Sequence, residues 1–147
     1  VRILFLAAEA APFAKVGGLG DVAGALPRAL AALGHEVWVL IPRHPAAARR
    51  AGQAQPAGAP FSVDFDWARR RVELLTTPPV EGVTVALLVS PDYFERPAIY
   101  GEWDDDKRYM FFSKVGLEAV RRAGWRPDVV HAHDWHTAAA INWLAIA

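Results

Sequence analysis

Lys15-Val16-Gly17-Gly18-Leu19-Gly20-Asp21 is the stretch of this 147-residue sequence whose residue types can act together chemically. Glycines ahead of a helix let backbone N–H groups converge on an anion, and the helix dipole favours negative charge at that end. A lysine adds a point charge. A phosphate-bearing ligand is the first expectation, and a packing turn with a solvent-facing lysine is the alternative. A second cluster, His131, His133, Asp134, Trp135 and His136, lies near the other end of the chain. It matches the zinc pattern H-x-H-x-D-H only in part, because the aspartate follows the second histidine directly. In a strand His131 and His133 share one face while Asp134 points the other way, which spoils convergence on a metal. The sharper expectation is that one or two of these side chains hydrogen-bond a sugar or an acceptor hydroxyl, with at least one histidine satisfied inside the fold. Glu9 and Asp134 end separate strands and could form a carboxylate pair, but no sequence spacing sets the roughly 5–9 Å separation of glycosidase chemistry.

Other chemistries lack their residues. Gly18-Leu19-Gly20-Asp21-Val22-Ala23 satisfies G-x-G-x-x-A, yet residues 9–17 separate it from the first apolar run. The second apolar run ends Ile41-Pro42-Arg43-His44, with no acid for a ribose hydroxyl, so dinucleotide binding is disfavoured. No Walker P-loop, no G-x-S-x-G elbow and no cysteine occur, which removes Walker-type ATPases, serine acyl transfer, disulfides and Cys-ligated metals. Sixteen basic and sixteen acidic side chains cancel, so no charge excess argues for nucleic acid or an anionic membrane as partner. No apolar run approaches the ~20 residues that cross a bilayer, and none reads as a signal peptide. With 53% hydrophobic and 22% charged residues, the chain can bury one core, as one domain or most of one.

The elements that must position these residues follow from hydrophobic patterning. Residues 1–8 form an unbroken apolar run, the mark of a parallel strand covered on both faces. A helix is expected from near Asp21, with Asp21 as N-cap or first-turn anion, a kink at Pro27 and a stop at Gly34. Residues 37–41 read as a second buried strand. Residues 45–60 read as a mobile loop or a loosely helical excursion. Residues 61–67 alternate as a half-wet strand, Arg69-Arg70-Arg71 as a solvated turn, and 71–75 as its partner strand. Residues 83–89 form another buried strand, and 90–103 a long loop whose aromatics beside acids suit either a sugar face or a packed Ω-loop. Asp105 or Asp106 caps a helix to about Arg122 that buries Met110, Val115, Leu117, Ala119 and Val120, with Gly124 ending it. Residues 129–133 form a short strand, and a last helix begins near Thr137. Trp38, Trp67, Trp125 and Trp143 are assigned to cores or patches, Trp135 to function. The resulting architecture is α/β, Rossmann-like, with a mostly parallel sheet and helices on both faces. Ile146-Ala147 falls inside an apolar helical pattern with no stop, which predicts a natural polypeptide that continues.

Residues 8–22, then Gly24-Ala25-Leu26-Pro27, and finally Pro127-Asp128-Val129-Val130-His131-Ala132-His133-Asp134-Trp135-His136-Thr137 resemble bacterial glycogen synthases and plant starch synthases. Tyr93-Phe94-Glu95-Arg96-Pro97 and Tyr100-Gly101 look like that family's acceptor-side loop. The resemblance implies the GT-B arrangement of two Rossmann-like domains facing across a cleft. Residues 1–147 would then be a truncated N-terminal, acceptor-side domain, with the C-terminal nucleotide-binding domain absent and the isolated chain inactive. It also implies metal-free, retaining transfer of glucose from ADP-glucose or UDP-glucose to the non-reducing 4-hydroxyl of an α-1,4-glucan. The nucleotide sugar is a co-substrate, no cofactor is required, and the expected location is cytoplasmic. Carried over residue by residue, Lys15 and Asp134 are catalytic, and Lys15, Gly17, Gly18 and Asp21 serve the donor phosphates and sugar. Glu9, Tyr100, Trp135 and His133 line the acceptor and sugar region. The family's usual Asp-Asn is replaced by Asp104-Asp105-Asp106. A GT-B enzyme with another acceptor, and a glucan-binding domain without turnover, are the two alternatives.

Overall fold

Alternate residues of the first strand enter two different cores, as an apolar run covered on both faces requires. Leu4, Leu6 and Ala8 pack to one side of the sheet and Ile3, Phe5 and Ala7 to the other. The computed structural model describes residues 1–146, with the elements β1 (Arg2–Leu6), α1 (Gly18–Ala32), β2 (Glu36–Pro42), α2 (Pro45–Ala51), β3 (Gln55–Pro56), β4 (Phe61–Phe65), β5 (Ala68–Thr76), β6 (Val83–Val89), α3 (Pro91–Phe94), α4 (Asp105–Arg122), β7 (Val129–Ala132) and α5 (Trp135–Ile146). The sheet order is β3-β5-β6-β2-β1-β7, with β4 also paired to β5. β6, β2, β1 and β7 are parallel neighbours, and β3, β4 and β5 form the antiparallel margin. α4 and α5 bury Phe111, Phe112, Val115 and Ala140 against one face, while α1 and α2 bury Ala23 and Ala47 against the other.

α1 begins at Gly18, three residues before the expected start, so Asp21 sits in its first turn rather than at its cap. It runs through a buried Pro27 to Ala32 as one element, and Gly34 ends it at φ +96°, a conformation glycine adopts without steric cost. Residues 10–14 form a tight turn that lies directly on α1. Ala11 donates to the Gly20 carbonyl at 2.9 Å, and a Cβ on Gly24 would stand 2.8 Å from the Ala11 oxygen.

Several boundaries differ from the patterning for identifiable reasons. Residues 45–60 contain α2, started by Pro45 in its first turn and closed by Arg49 and Arg50 against the dipole, and then the short β3. Arg69, Arg70 and Arg71 are strand residues of β5, because Asp66 and Trp67 alone make the turn. Arg70 stacks over the Tyr93 ring at 4.8 Å and bonds Asp92 at 3.0 Å. In the long loop, Tyr93 and Phe94 are buried on α3 instead of facing solvent, so that part is packed loop and not sugar face. Met110 is exposed, the apolar stripe of α4 running through Tyr109, Phe112, Val115 and Ala119. α5 starts at Trp135, two residues early. No helix among the described residues is long and apolar enough to cross a membrane.

Gly24→Ala forces a methyl onto the Ala11 carbonyl and is expected to cost about 1–3 kcal/mol of stability. Urea unfolding of the two proteins measures it.

Candidate functional site

The carboxyl ends of the parallel strands carry every loop that the sequence marked, which is where open α/β sheets place ligands. Glu9 follows β1 and is 1% exposed. Its carboxylate accepts N–H bonds from Val16, from Gly17 at 3.2 Å and from Gly20 at 2.9 Å. The anion on which the glycine loop converges is therefore a side chain of the protein itself. Glu9 holds the loop and is not placed to line an open sugar site, a correction to its expected position. For the same reason it does not form a solvent-facing carboxylate pair with Asp134.

The amides of Gly18 and Leu19, in the first turn of α1, make no bond among the described residues and remain available. Gly17 and Gly18 have ordinary φ, and a Cβ on either would meet nothing within 4 Å. Among the described residues nothing demands glycine at these two positions. Lys15 pairs with Asp21 at 3.0 Å, both side chains about half exposed, so the cation is positioned at the mouth of the loop by a weak, exchangeable partner.

Asp134, two residues past β7, sits in the left-handed region at φ +64° and accepts the Trp135 N–H at 2.7 Å. A non-glycine residue held there is strained, and such strain gathers at functional turns. Thr137 caps the turn from behind, its hydroxyl donating to the His133 carbonyl at 2.7 Å. His131 and His133 stack ring on ring at 4.4 Å, with both rings on Phe5. Burial, aided by the neighbouring His131, pushes His133 below the ordinary histidine value, and its Nε2 is buried without a partner. A neutral imidazole is thereby presented at the edge. Among the described residues, no group of three or more His, Asp or Glu gathers at metal-binding distances.

Tyr100 stacks on His136 at 4.7 Å, and its hydroxyl is buried without a partner. Trp135 is exposed beside them. Two residues that patterning missed hold this arrangement. Arg108, 0% exposed, donates to the carbonyls of Tyr93, Ile99 and Ala98 and to Asp105. Tyr109 donates to Ile99 at 2.6 Å and sets its ring edge against Trp135 and His136. A guanidinium on the buried stripe of α4, one turn before Phe112, was the legible signal for such a role. The acids of the Asp104-Asp105-Asp106 departure are largely spent internally: Asp104 on Arg96, Asp105 on Arg108 and the Gly101 amide.

Between the glycine loop, α2 and residues 95–100 lies a cavity of about 710 Å³ lined by Lys15, His44, Arg49, Arg96 and Tyr100. His44, to which the sequence assigned no role, is buried and bonds the Ala8 carbonyl at 3.0 Å. Burial, with the Arg108 charge adding, pushes it down from 6.5 to about 4.

An open, mostly parallel sheet that gathers an anion-type loop and aromatic rings at one edge defines a Rossmann-like α/β domain. The model of the starch synthase catalytic domain matches residues 2–147, and the chain belongs to that family. Glycogen synthases of Streptococcus pneumoniae (strain Hungary19A-6) and Streptococcus equi subsp. equi (strain 4047) are each 41% identical to it over 138 residues, 94% of this chain and 29% of theirs. The catalytic domain of starch synthase IV from Arabidopsis thaliana, solved bound to ADP and acarbose, superposes with a TM-score of 0.82 at 32% identity, covering 97% of this chain and 30% of that one. The chain thus spans less than a third of the length of these relatives.

Two outcomes follow. Glu9→Ala leaves three amides facing an empty buried space and is expected to cost about 2–4 kcal/mol in chemical denaturation, while Gly18→Ala, which meets open space, changes stability by under about 1 kcal/mol. For His44 the folded form refuses a proton that the unfolded chain accepts below pH 6.5. Its contribution is full above that pH and lost as pH falls toward 4, up to about 3 kcal/mol. Unfolding at pH 7 and 4.5 should show a loss about 2 kcal/mol greater in the native protein than in His44→Gln.

Proposed function

We propose that this chain is the acceptor-side, N-terminal domain of a retaining GT-B glucosyltransferase. The enzyme moves glucose from ADP-glucose, or UDP-glucose, to the non-reducing 4-hydroxyl of an α-1,4-glucan in glycogen or starch synthesis. The observation that carries this reading is the loop of residues 15–20, with two free helix-start amides, a cation at its mouth and two glycines, Gly17 and Gly18, that no internal contact requires. The ADP and acarbose held by the Arabidopsis starch synthase support a nucleotide diphosphate and a glucan-like chain as occupants. A cytoplasmic site of action, where nucleotide sugars are made, belongs to the same reading.

In this reading the diphosphate approaches Gly17 and Gly18 and takes Lys15 from Asp21. Amides and cation then face the oxygen on which charge develops as the anomeric C–O bond breaks. The acceptor hydroxyl forms the new bond on the same face, and its proton passes to the departing phosphate oxygen, which leaves the protein no base to supply. Asp134 and the neutral His133 hold hydroxyls of the reacting glucose, and Tyr100 and Trp135 pack against sugar rings. Glu9 acts at one remove, by fixing the amides. The protein's remaining length supplies the opposite wall of the cleft.

Labelled glucose should enter a maltooligosaccharide when the complete polypeptide is given ADP-glucose or UDP-glucose. Lys15→Ala should lower kcat/KM by about 10²–10³. Absence of transfer from both donors by folded protein overturns the reading, and a product extended on a different acceptor redirects it.

A further inference from the structure

The β4–β5 hairpin turns on two residues, Asp66 at φ 52° and Trp67 at φ 60°. Both central positions of such a turn want Asn, Asp or Gly, and a bulky ring there is an outlier. Trp67, assigned to a core or patch by its sequence, is in fact fully exposed at the tip. The chain bears backbone strain to hold an indole in water.

That tip is braced rather than loose. Lys107 on α4 bonds both oxygens of Asp66 at 3.1 Å, Arg69 bonds Asp64 at 3.0 Å, and Arg70 donates to the Phe65 carbonyl while its guanidinium lies on Tyr93. Its placement follows from register. Glu73 lies opposite Val89, the last residue of β6, so Ala68 to Val72 run on past the carboxyl edge of the sheet. The hairpin then lies along α4: Phe65 packs on Tyr93 and Phe111, and Lys107 in the first turn of α4 holds Asp66, so Trp67 stands beside the start of α4, the end of the helix that adjoins Tyr100 and Gly101. A concavity of about 500 Å³ flanks the ring, lined by Asp64, Phe65, Asp66, Trp67, Ala68 and Arg69. Two carboxylates and a guanidinium line the concavity beside the ring, together with Phe65 and Ala68. An exposed, braced aromatic platform among hydrogen-bonding side chains suits a polyol, whose ring faces are apolar and whose edges are hydroxyls.

We propose that Trp67 is an outlying stacking site for an α-glucan chain, set at the rim of the cleft and engaging glucose units remote from the end that is extended. Asp64, Asp66 and Arg69 bond the hydroxyls at the ring's edges. The site rests on the transferase reading for its substrate class, and it makes a distinction that the reacting centre cannot. A short acceptor fills the centre without reaching Trp67; a long one reaches both.

The test uses the complete polypeptide and its Trp67→Ala and Trp67→Tyr variants, with glycogen and maltotriose as acceptors. Trp67→Ala should raise KM for glycogen roughly three- to tenfold, the loss of about one stacked ring, while KM for maltotriose and for the nucleotide sugar stays unchanged. Trp67→Tyr should restore most of the effect. Migration in a native gel containing glycogen reads the same site without turnover: the native protein is retarded and Trp67→Ala less so. If no transfer occurs but the retardation difference persists, the transferase reading fails and the site stands. Equal retardation of native protein and Trp67→Ala, equal changes in KM for both acceptors, or a change in oligomeric mass by light scattering in Trp67→Ala would overturn the proposal.

Discussion

The buried carboxylate of Glu9 is the constraint on which the ligand edge depends. A carboxyl group removed from water must be hydrogen-bonded, and among the described residues the donors it meets are the amides of Val16, Gly17 and Gly20. Satisfying it draws residues 15–20 back over the end of β1 and sets the start of α1 in place. That leaves the Gly18 and Leu19 amides facing outward and Lys15 at the rim. The helix-end anion site is thus divided in two, an inner part occupied permanently by the protein and an outer part left for a ligand. Close docking of residues 10–14 on Gly24 fixes the other side of the same loop.

A second anchor works across the sheet. Arg108 turns a long connection into a fixed wall by bonding three of its carbonyls from the buried side, and Tyr109 joins that wall to Trp135 and His136. The loop after β6 and the turn after β7 therefore form one body, although about thirty residues of chain, including all of α4, separate them. Both anchors bury charge or polar groups inside connections, where an unpaired group would be costly, and so each tolerates little change. Rigid support of this kind is what a site needs when its own groups touch substrate from loops.

The edge also displays opposite treatments of aromatic side chains. Tyr93 and Phe94 are sunk beneath the loop, Tyr100 is half covered by His136, and Trp135 and Trp67 are exposed. Composition is the same in each case, so burial depends on register. β5 passes the end of β6 and carries its turn into solvent, while α3 folds its two rings back under α4.

Continuous apolar runs marked β1, β2 and β6 by themselves, because strands covered on both faces cannot alternate. Gly34 and Gly124 marked helix ends because the left-handed stop favours them. The glycine loop and the segment from His131 to His136 were legible as chemistry from residue type and spacing alone, and their motifs pointed to the family. What the sequence could not decide was which anion the loop would hold, since a carboxylate seven residues before the first of its donors looks no different in a string from one that meets substrate. It could not show that Arg70 and Arg108 would be packed under rings and carbonyls, nor that Met110 would face out while Tyr109 faced in. Those outcomes depend on which surfaces meet when α4 lies across the sheet and β5 pairs with β6. Local pattern reports the period of an element; only packing in three dimensions assigns its neighbours, and with them the work of each charged side chain.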